Sequence, residues 1–414
     1  MPAARLAEQE LVCHVFVSAD GETREAADSL VRTLWSRCGD VLALDEEVVR
    51  SGLPTTPPGH LGEVGTSFAL AARESSDRSR QAVLRRSHDV LVLSVLLAHV
   101  EQKAWPDLDR MLDHILDGIR GAPLGVVRIY AGKTGDAGSA VLATPELAEV
   151  VAGALSCGES GNWRHRGRRI AEWFALWEVG ARHDARAERR LVVLGPPGLD
   201  WELGELVWYR GDPGLPTLVR YLLHIAKIRY EVRVRAQAAP TTQLCDGAKQ
   251  STAAFRRVLR GSAGPDTVTA GLADLRRHQL VLAGTITDTR AMRRTVEIAG
   301  ANAARLLGEP QLPPDEDDPL GDDRAVAAWF VEQLGDDIEY LEATYEGVCR
   351  LTETAREFAS PENRDASRPT EPTFGIVTAL PEEFAAMRAL VDGATRVAAA
   401  EDRATYFRGT MPSC

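Results

Sequence analysis

The spacing of apolar residues changes near Pro216, and that change limits what the chain can fold into. Before Pro216 apolar residues come in short runs bounded by Gly, Pro and Asp, the pattern of strands separated by turns. After it they recur three and four positions apart over long stretches, which is the stripe of an amphipathic helix. A sheet-bearing first half and a long-helix second half follow, and the fold class expected is α+β.

Leu11–Val17, Val41–Leu44, Asp89–Leu97, Gly125–Tyr130, Trp173–Trp177 and Arg190–Leu194 read as strands, with Gly204–Tyr209 as a last one. Glu25–Cys38 places Ala27, Leu30, Leu34 and Trp35 on one helical face, and helices are also expected in part of Leu61–Arg86, at Leu108–Arg120 and at Pro145–Leu155. Beyond Pro216, Leu218, Tyr221, Leu222, Ile225, Arg229 and Val232 form one stripe, with Lys227 and Arg229 expected near the surface. Leu272 to Ile286, continued by Met292 to Ala303, marks a second helix, and Val326 to Val348 a third. The acidic, proline-rich stretch Pro310–Pro319 interrupts them, so a helical hairpin or small bundle is expected.

Ala359–Thr373 holds three prolines and no large apolar residue after Ala359, which makes it a linker. A strand at Phe374–Leu380, a helix opened by Pro381-Glu382-Glu383 and a strand at Ala404–Gly409 follow. The expected organisation is 1–212 (α+β), 213–358 (helical), 359–373 (linker) and 374–414, an α/β segment too short for its own core.

Composition narrows the function. The 414 residues carry a formal charge of −12, which opposes nucleic acid or an anionic membrane as main partner. No apolar run has the length of a membrane span, and the charged first ten residues do not read as a signal peptide. Cys13, Cys38, Cys157, Cys245, Cys349 and Cys414 form no C-x-x-C pair, and the nine histidines form no H-x-x-x-H. Reduced thiols in a cytoplasmic protein without metal or cofactor are expected.

Few motifs carry chemistry. Gly132-Lys133-Thr134 lacks the glycine five residues earlier that a phosphate loop needs, Val127 standing there, so it reads as a loop. His88-Asp89 reads as structural, because strand neighbours point to opposite faces and form no dyad. Gly195-Pro-Pro-Gly198 is a turn. Trp173, Trp177, Trp201, Trp208 and Tyr209 concentrate aromatic surface, whose ordinary use is packing and whose functional use is anchoring a partner. Trp173, Trp177 and Trp208, with the outer face of the 216–236 helix, are the candidate partner-binding residues. Glu382 and Glu383 either cap a helix or place a general acid at the end of a strand.

Two resemblances add to this. Phe374–Leu390 with Ala404–Thr410 resembles the opening of the nucleoside phosphorylase / methylthioadenosine–adenosylhomocysteine nucleosidase family. The resemblance implies that Glu383 is a catalytic acid assisting departure of a purine, with a nucleoside or nucleotide as ligand. The glycine-rich segments, the Met-Glu stretch and the base-contacting Asp of that family are missing, so the chain as given is expected to be catalytically incomplete. His14–Val17, Gln81–Ser94, Trp105–Leu108 and Tyr221–Glu231 resemble the CATRA (caspase and TPR repeat-associated) domains of bacterial conflict systems. That resemblance implies a sensor or adaptor that couples recognition to an effector and has a protein as partner. The alternative is a purine nucleoside N-glycosidase or phosphorylase of which only the first strands are present.

Overall fold

The structure is a computed structural model and describes residues 6–19, 24–49, 51–61, 67–98, 104–119, 123–155, 162–180, 184–208, 214–261, 264–306, 318–359, 392–397 and 406–410. It divides into two compact units, Met1–Arg350 and Leu351–Cys414, each described by itself.

A mixed sheet of eight strands organises the first unit: β1 (Ala7–Ser18), β2 (Ser67–Glu74), β3 (Arg80–Ser87), β4 (Val90–Leu97), β5 (Gly125–Lys133), β6 (Arg168–Ile170), β7 (Phe174–Val179) and β8 (Glu188–Gly195). Their order is β2-β3-β4-β1-β5-β8-β7-β6, and β5 with β8 is the parallel pair among otherwise antiparallel neighbours. Strands buried on both faces need apolar residues at odd and even positions alike. β1 supplies them: Leu11, Cys13, Val15 and Val17 enter one core, and Val12 and Phe16 the other. The first core is closed by α1 (Arg24–Leu42), α2 (Trp105–Leu116), α3 (Pro145–Leu155) and a 3-10 turn at Asn162–His165. The second is closed by α4 (Asp200–Val207) and α5 (Thr217–Gln237). Gly125 lets α5 approach closely, since a Cβ there would stand 2.9 Å from that of Ala226.

Several expectations give way. No described residue of Leu61–Arg86 is helical; the stretch contains β2 and β3, whose alanines and arginines suit a helix alone but pair β2 with β3 and β3 with β4. Val41–Leu44 is the end of α1 and the turn after it, with Leu42 and Leu44 buried. Gly204–Tyr209 is not a strand where described: α4 turns Leu203, Leu206 and Val207 onto the sheet at helical spacing. Nor does α5 offer an outer face. No residue from 214 to 235 is exposed, because the sheet covers one side of α5 and the later helices another.

Pro240 ends α5 and opens α6 (Thr241–Arg260), a helix the spacing had not marked. α7 (Pro265–Leu306) joins the two expected segments into one helix of 42 residues, about 63 Å long at 1.5 Å per residue. α8 (Pro319–Ala359) runs back along it, with Arg290 paired to Glu342, Gln279 Nε2 beside Cys349 Sγ at 3.3 Å, and Gly300 facing Ala327. The near part of this arm (Val296, Ala299, Ala303, Leu320, Val326, Phe330 and Leu334) continues the second core of the sheet. The far part, with Phe255, Leu275, Leu282, Leu341 and Val348, has its own interior.

In the second unit β9 (Asp392–Val397) pairs antiparallel with β10 (Tyr406–Thr410), which agrees with a strand near Ala404–Gly409. The expected strand Phe374–Leu380, the helix after it and Glu383 lie outside the described residues. The architecture is mixed α/β with a helical arm, and nothing in it establishes a nucleoside phosphorylase fold.

Candidate functional site: a buried ion network and an exposed aromatic end

The densest cluster of buried charge lies where the β7–β8 side of the sheet meets the arm. Glu178 on β7 and Arg189 on β8 point to the face covered by α5, and Arg186 stands just before β8. The Arg189 guanidinium grips Glu178 with two parallel bonds, Nε to Oε1 at 2.9 Å and Nη2 to Oε2 at 2.8 Å. Arg186 donates to the same two oxygens at 2.8 and 3.0 Å. Arg189 then reaches α8, donating from Nη1 to Asp323 Oδ2 at 2.7 Å. That oxygen also accepts the Tyr221 hydroxyl at 3.0 Å, and Oδ1 accepts Arg229 Nη2 at 2.6 Å. Asp322 Oδ2 takes bonds of 3.1 Å from both Arg186 and Arg229. Arg168 Nη1 to Asp318 Oδ2, at 2.5 Å, adds a further tie where α8 begins.

Three arginines and three carboxylates thus neutralise one another, with Glu178 and Asp323 buried and Asp322 at the partly open margin. Burial works to raise the Asp323 pKa, but Arg189, Arg229 and Arg186 outweigh it and hold the carboxyl at about 2. Glu178 is held below its ordinary value in the same way, by Arg189 and Arg186 against its burial. Forked guanidinium–carboxylate bonds of this kind fix direction as well as distance. Every carboxylate here already accepts from a cation, so the cluster fixes geometry rather than performing acid–base chemistry. Among the described residues no group of His, Cys, Asp and Glu could hold a metal ion.

His14 marks a second link across the same core. It lies in the middle of β1, donates from Nε2 to the Val207 carbonyl of α4 at 3.0 Å, and accepts from Ser94 Oγ at Nδ1, 2.9 Å away. Burial lowers its pKa to about 3, so it stays neutral. His88-Asp89 is the two-residue turn between β3 and β4, with His88 at φ 54°, and Asp89 receives Lys227 of α5 at 2.6 and 2.7 Å. Its role is structural. The thiols of Cys13 and Cys38 are pushed up to about 12 by burial and are unreactive as nucleophiles.

The carboxyl ends of β5 and β8 form the other candidate, the place where α/β sheets commonly bind ligands. Lys133 is no phosphate-binding lysine. It ends β5 buried, with Glu8 and Asp200 both on its ammonium, while the Thr134 amide donates to the Gly195 carbonyl at 3.0 Å. Gly135 to Ser139 form the exposed loop expected. Around this end stand Leu142, Trp173 and Trp201, which are 61, 37 and 62% exposed.

The three tryptophans singled out in sequence are not brought together. Trp177 is wholly buried in the first core with Trp163 and Val151, so it packs rather than meeting a partner. Trp208 ends α4 half-buried against the second core, on the other face of the sheet. Trp173 alone of the three lies open, in the turn before β7. Arg229, expected near the surface, is buried in the ion network because α8 brings two aspartates over it.

Family comparisons divide the chain between α4 and α5. A model of the caspase and TPR repeat-associated N-terminal domain matches residues 10–211, and one of the corresponding C-terminal domain matches residues 216–348. The chain belongs to the CATRA family. No match was found among curated proteins or among solved structures. The ion network therefore crosses from CATRA-N (Glu178, Arg186, Arg189) into CATRA-C (Tyr221, Arg229, Asp322, Asp323). The segments that carried the resemblance supply His14, Asp89 and Lys227, which tie the sheet to α4 and α5, Ser94, which ties β4 to β1, and Tyr221 and Arg229, which tie α5 to α8. Residues 349–414 lie beyond both models. Among the described residues no helix is long and apolar enough to cross a membrane.

Proposed function

We propose that the chain is an adaptor of a bacterial conflict system, which receives a protein signal on its sheet-bearing half and passes it along the helical arm. The family description, which associates these domains with caspase and TPR repeat units, supports the context. The observation that carries the reading is the buried network joining Arg189 of CATRA-N to Asp323 of CATRA-C, because it makes the two domains respond as one body. A cytoplasmic location and a protein partner go with this reading. The test uses the full chain and a caspase-like or TPR-repeat protein encoded beside its gene. Sedimentation should show a stable complex, and the partner's activity should change on binding. Arg189→Gln should keep the complex and lose the change in activity. No complex with any such neighbour would contradict the proposal.

A second reading rests on the resemblance of Phe374–Leu390 to nucleosidases: the arm delivers its signal to a nucleosidase-like effector that takes a nucleoside or nucleotide. A chain extended past Cys414 should then release purine base, and Glu383→Gln should abolish release. No release from any nucleoside would remove this reading and leave the adaptor role intact.

A further inference from the structure

Leu142, Trp173 and Trp201 are large apolar side chains left open at one end of the sheet, and the fold explains why they share it. The Val141 amide donates to the Trp173 carbonyl at 2.9 Å, which sets Leu142 beside Trp173. Phe174, next in chain, lies over Gly195, where a Cβ would stand 2.5 Å from its ring. Gly195 pairs with Lys133 in the parallel ladder, and the Lys133 ammonium holds Asp200, the residue before Trp201. Leu142 and Trp173 lie on the first-core side of this end, and Trp201, on α4, on the second-core side. Two indoles and a leucine thus flank the end of the sheet with the composition of an interface rather than of an ordinary surface.

Charge decides the kind of partner. Glu8, Asp136, Glu172, Asp200 and Glu202 are all exposed residues of this end, and Lys133 answers only Glu8 and Asp200. Asp136, Glu172 and Glu202 remain against one exposed cation, Arg169 of β6, so this end keeps an acidic excess, on a chain whose formal charge is −12. From this we infer that the carboxyl end of β5 and β8 docks a basic segment of a partner protein, with apolar or aromatic anchors set between lysines or arginines. The anchors cover the indoles and the cations meet the acidic rim, which speeds encounter and rejects acidic segments. The inference rests on the adaptor reading and gives it a receiving surface.

Selection from a random peptide library on the full-length chain tests it, followed by fluorescence titration of the strongest peptide using the exposed indoles. The expected winners carry at least two large apolar residues and a net positive charge. Replacing Trp173 and Trp201 by Ser should weaken their binding at least tenfold. Glu172→Lys with Glu202→Lys, which leaves every apolar contact in place, should weaken it at least fivefold and flatten its dependence on salt. Winners that are acidic or apolar without cations, winners that bind both variants as well as the wild type, or a selection that yields none would each overturn the inference. If it fails while Arg189→Gln still uncouples partner activity, the adaptor reading stands with another receiving surface.

Discussion

The near and far parts of the helical arm solve the same packing problem with different means. In the far part, apolar stripes on α6, α7 and α8 face one another and ions stay outside: Arg290 with Glu342, 61 and 37% exposed, and Arg350 with Glu346, 78 and 63%. In the near part α5 and the start of α8 bury their ions with the apolar residues: Arg189, Arg229 and Asp323 are each no more than 4% exposed. Any helical bundle can be held by stripes alone, whose ridges and grooves set a crossing geometry without demanding that any one polar group meet another. A buried network tolerates one arrangement, because a small shift leaves a charge without its partner. The difference teaches that the sheet-proximal end is built for fixed geometry and the distal end for length and reach.

The largest effect that would break this contrast is expected from Asp323→Ala. It leaves Arg189 and Arg229 buried without that carboxylate, and unfolding by urea should show a loss of about 3–5 kcal/mol. Next comes acid. His14 has a folded pKa of about 3, below its unfolded value of 6.5, so its contribution is present above pH 6.5 and lost as pH falls toward 3. Stability measured at pH 4 should lie roughly 3 kcal/mol below that at pH 7 from this group alone, and His14→Gln should flatten the slope. His224, lowered to about 4 by burial and by Lys227 and Arg220, adds in the same direction. Below pH 4 the Asp323 and Glu178 contributions begin to fall away as well. The smallest effect belongs to the far part: Glu342→Ala should change stability by about 0.5 kcal/mol or less. A loss there as large as that of Asp323→Ala would erase the distinction.

Much of this was legible before the structure. α5, α7, α8, β1, β4, β5, β7 and β8 carry their own periodicity, and the segments resembling CATRA domains turn out to hold residues that tie strands and helices together. What sequence reasoning missed has physical causes. β2 owes its form to pairing with β3, and β3 to pairing with β2 and β4, which outweighs the helical leaning of alanine, leucine and arginine. Arg229 and Asp323 look like solvated charges on amphipathic helices, and only the approach of two elements 94 residues apart shows that each buries the other. Trp177 and Trp173 are four residues apart in one aromatic stretch, yet one ends in a core and the other in a turn. An aspartate pair opening a helix rich in apolar stripes, together with an arginine inside such a stripe on another helix, is the signal that could have pointed to the network.

The most direct test of the central claim is a double-mutant cycle between Arg189 on β8 and Asp323 on α8, using Arg189→Met and Asp323→Leu in the full chain. If the network locks CATRA-N to CATRA-C, each single substitution is strongly destabilising, and the double variant recovers at least about 2 kcal/mol relative to their sum. If the two losses simply add to within about 0.5 kcal/mol, the pair is not energetically coupled, and the claim that this bond locks the two domains together is contradicted.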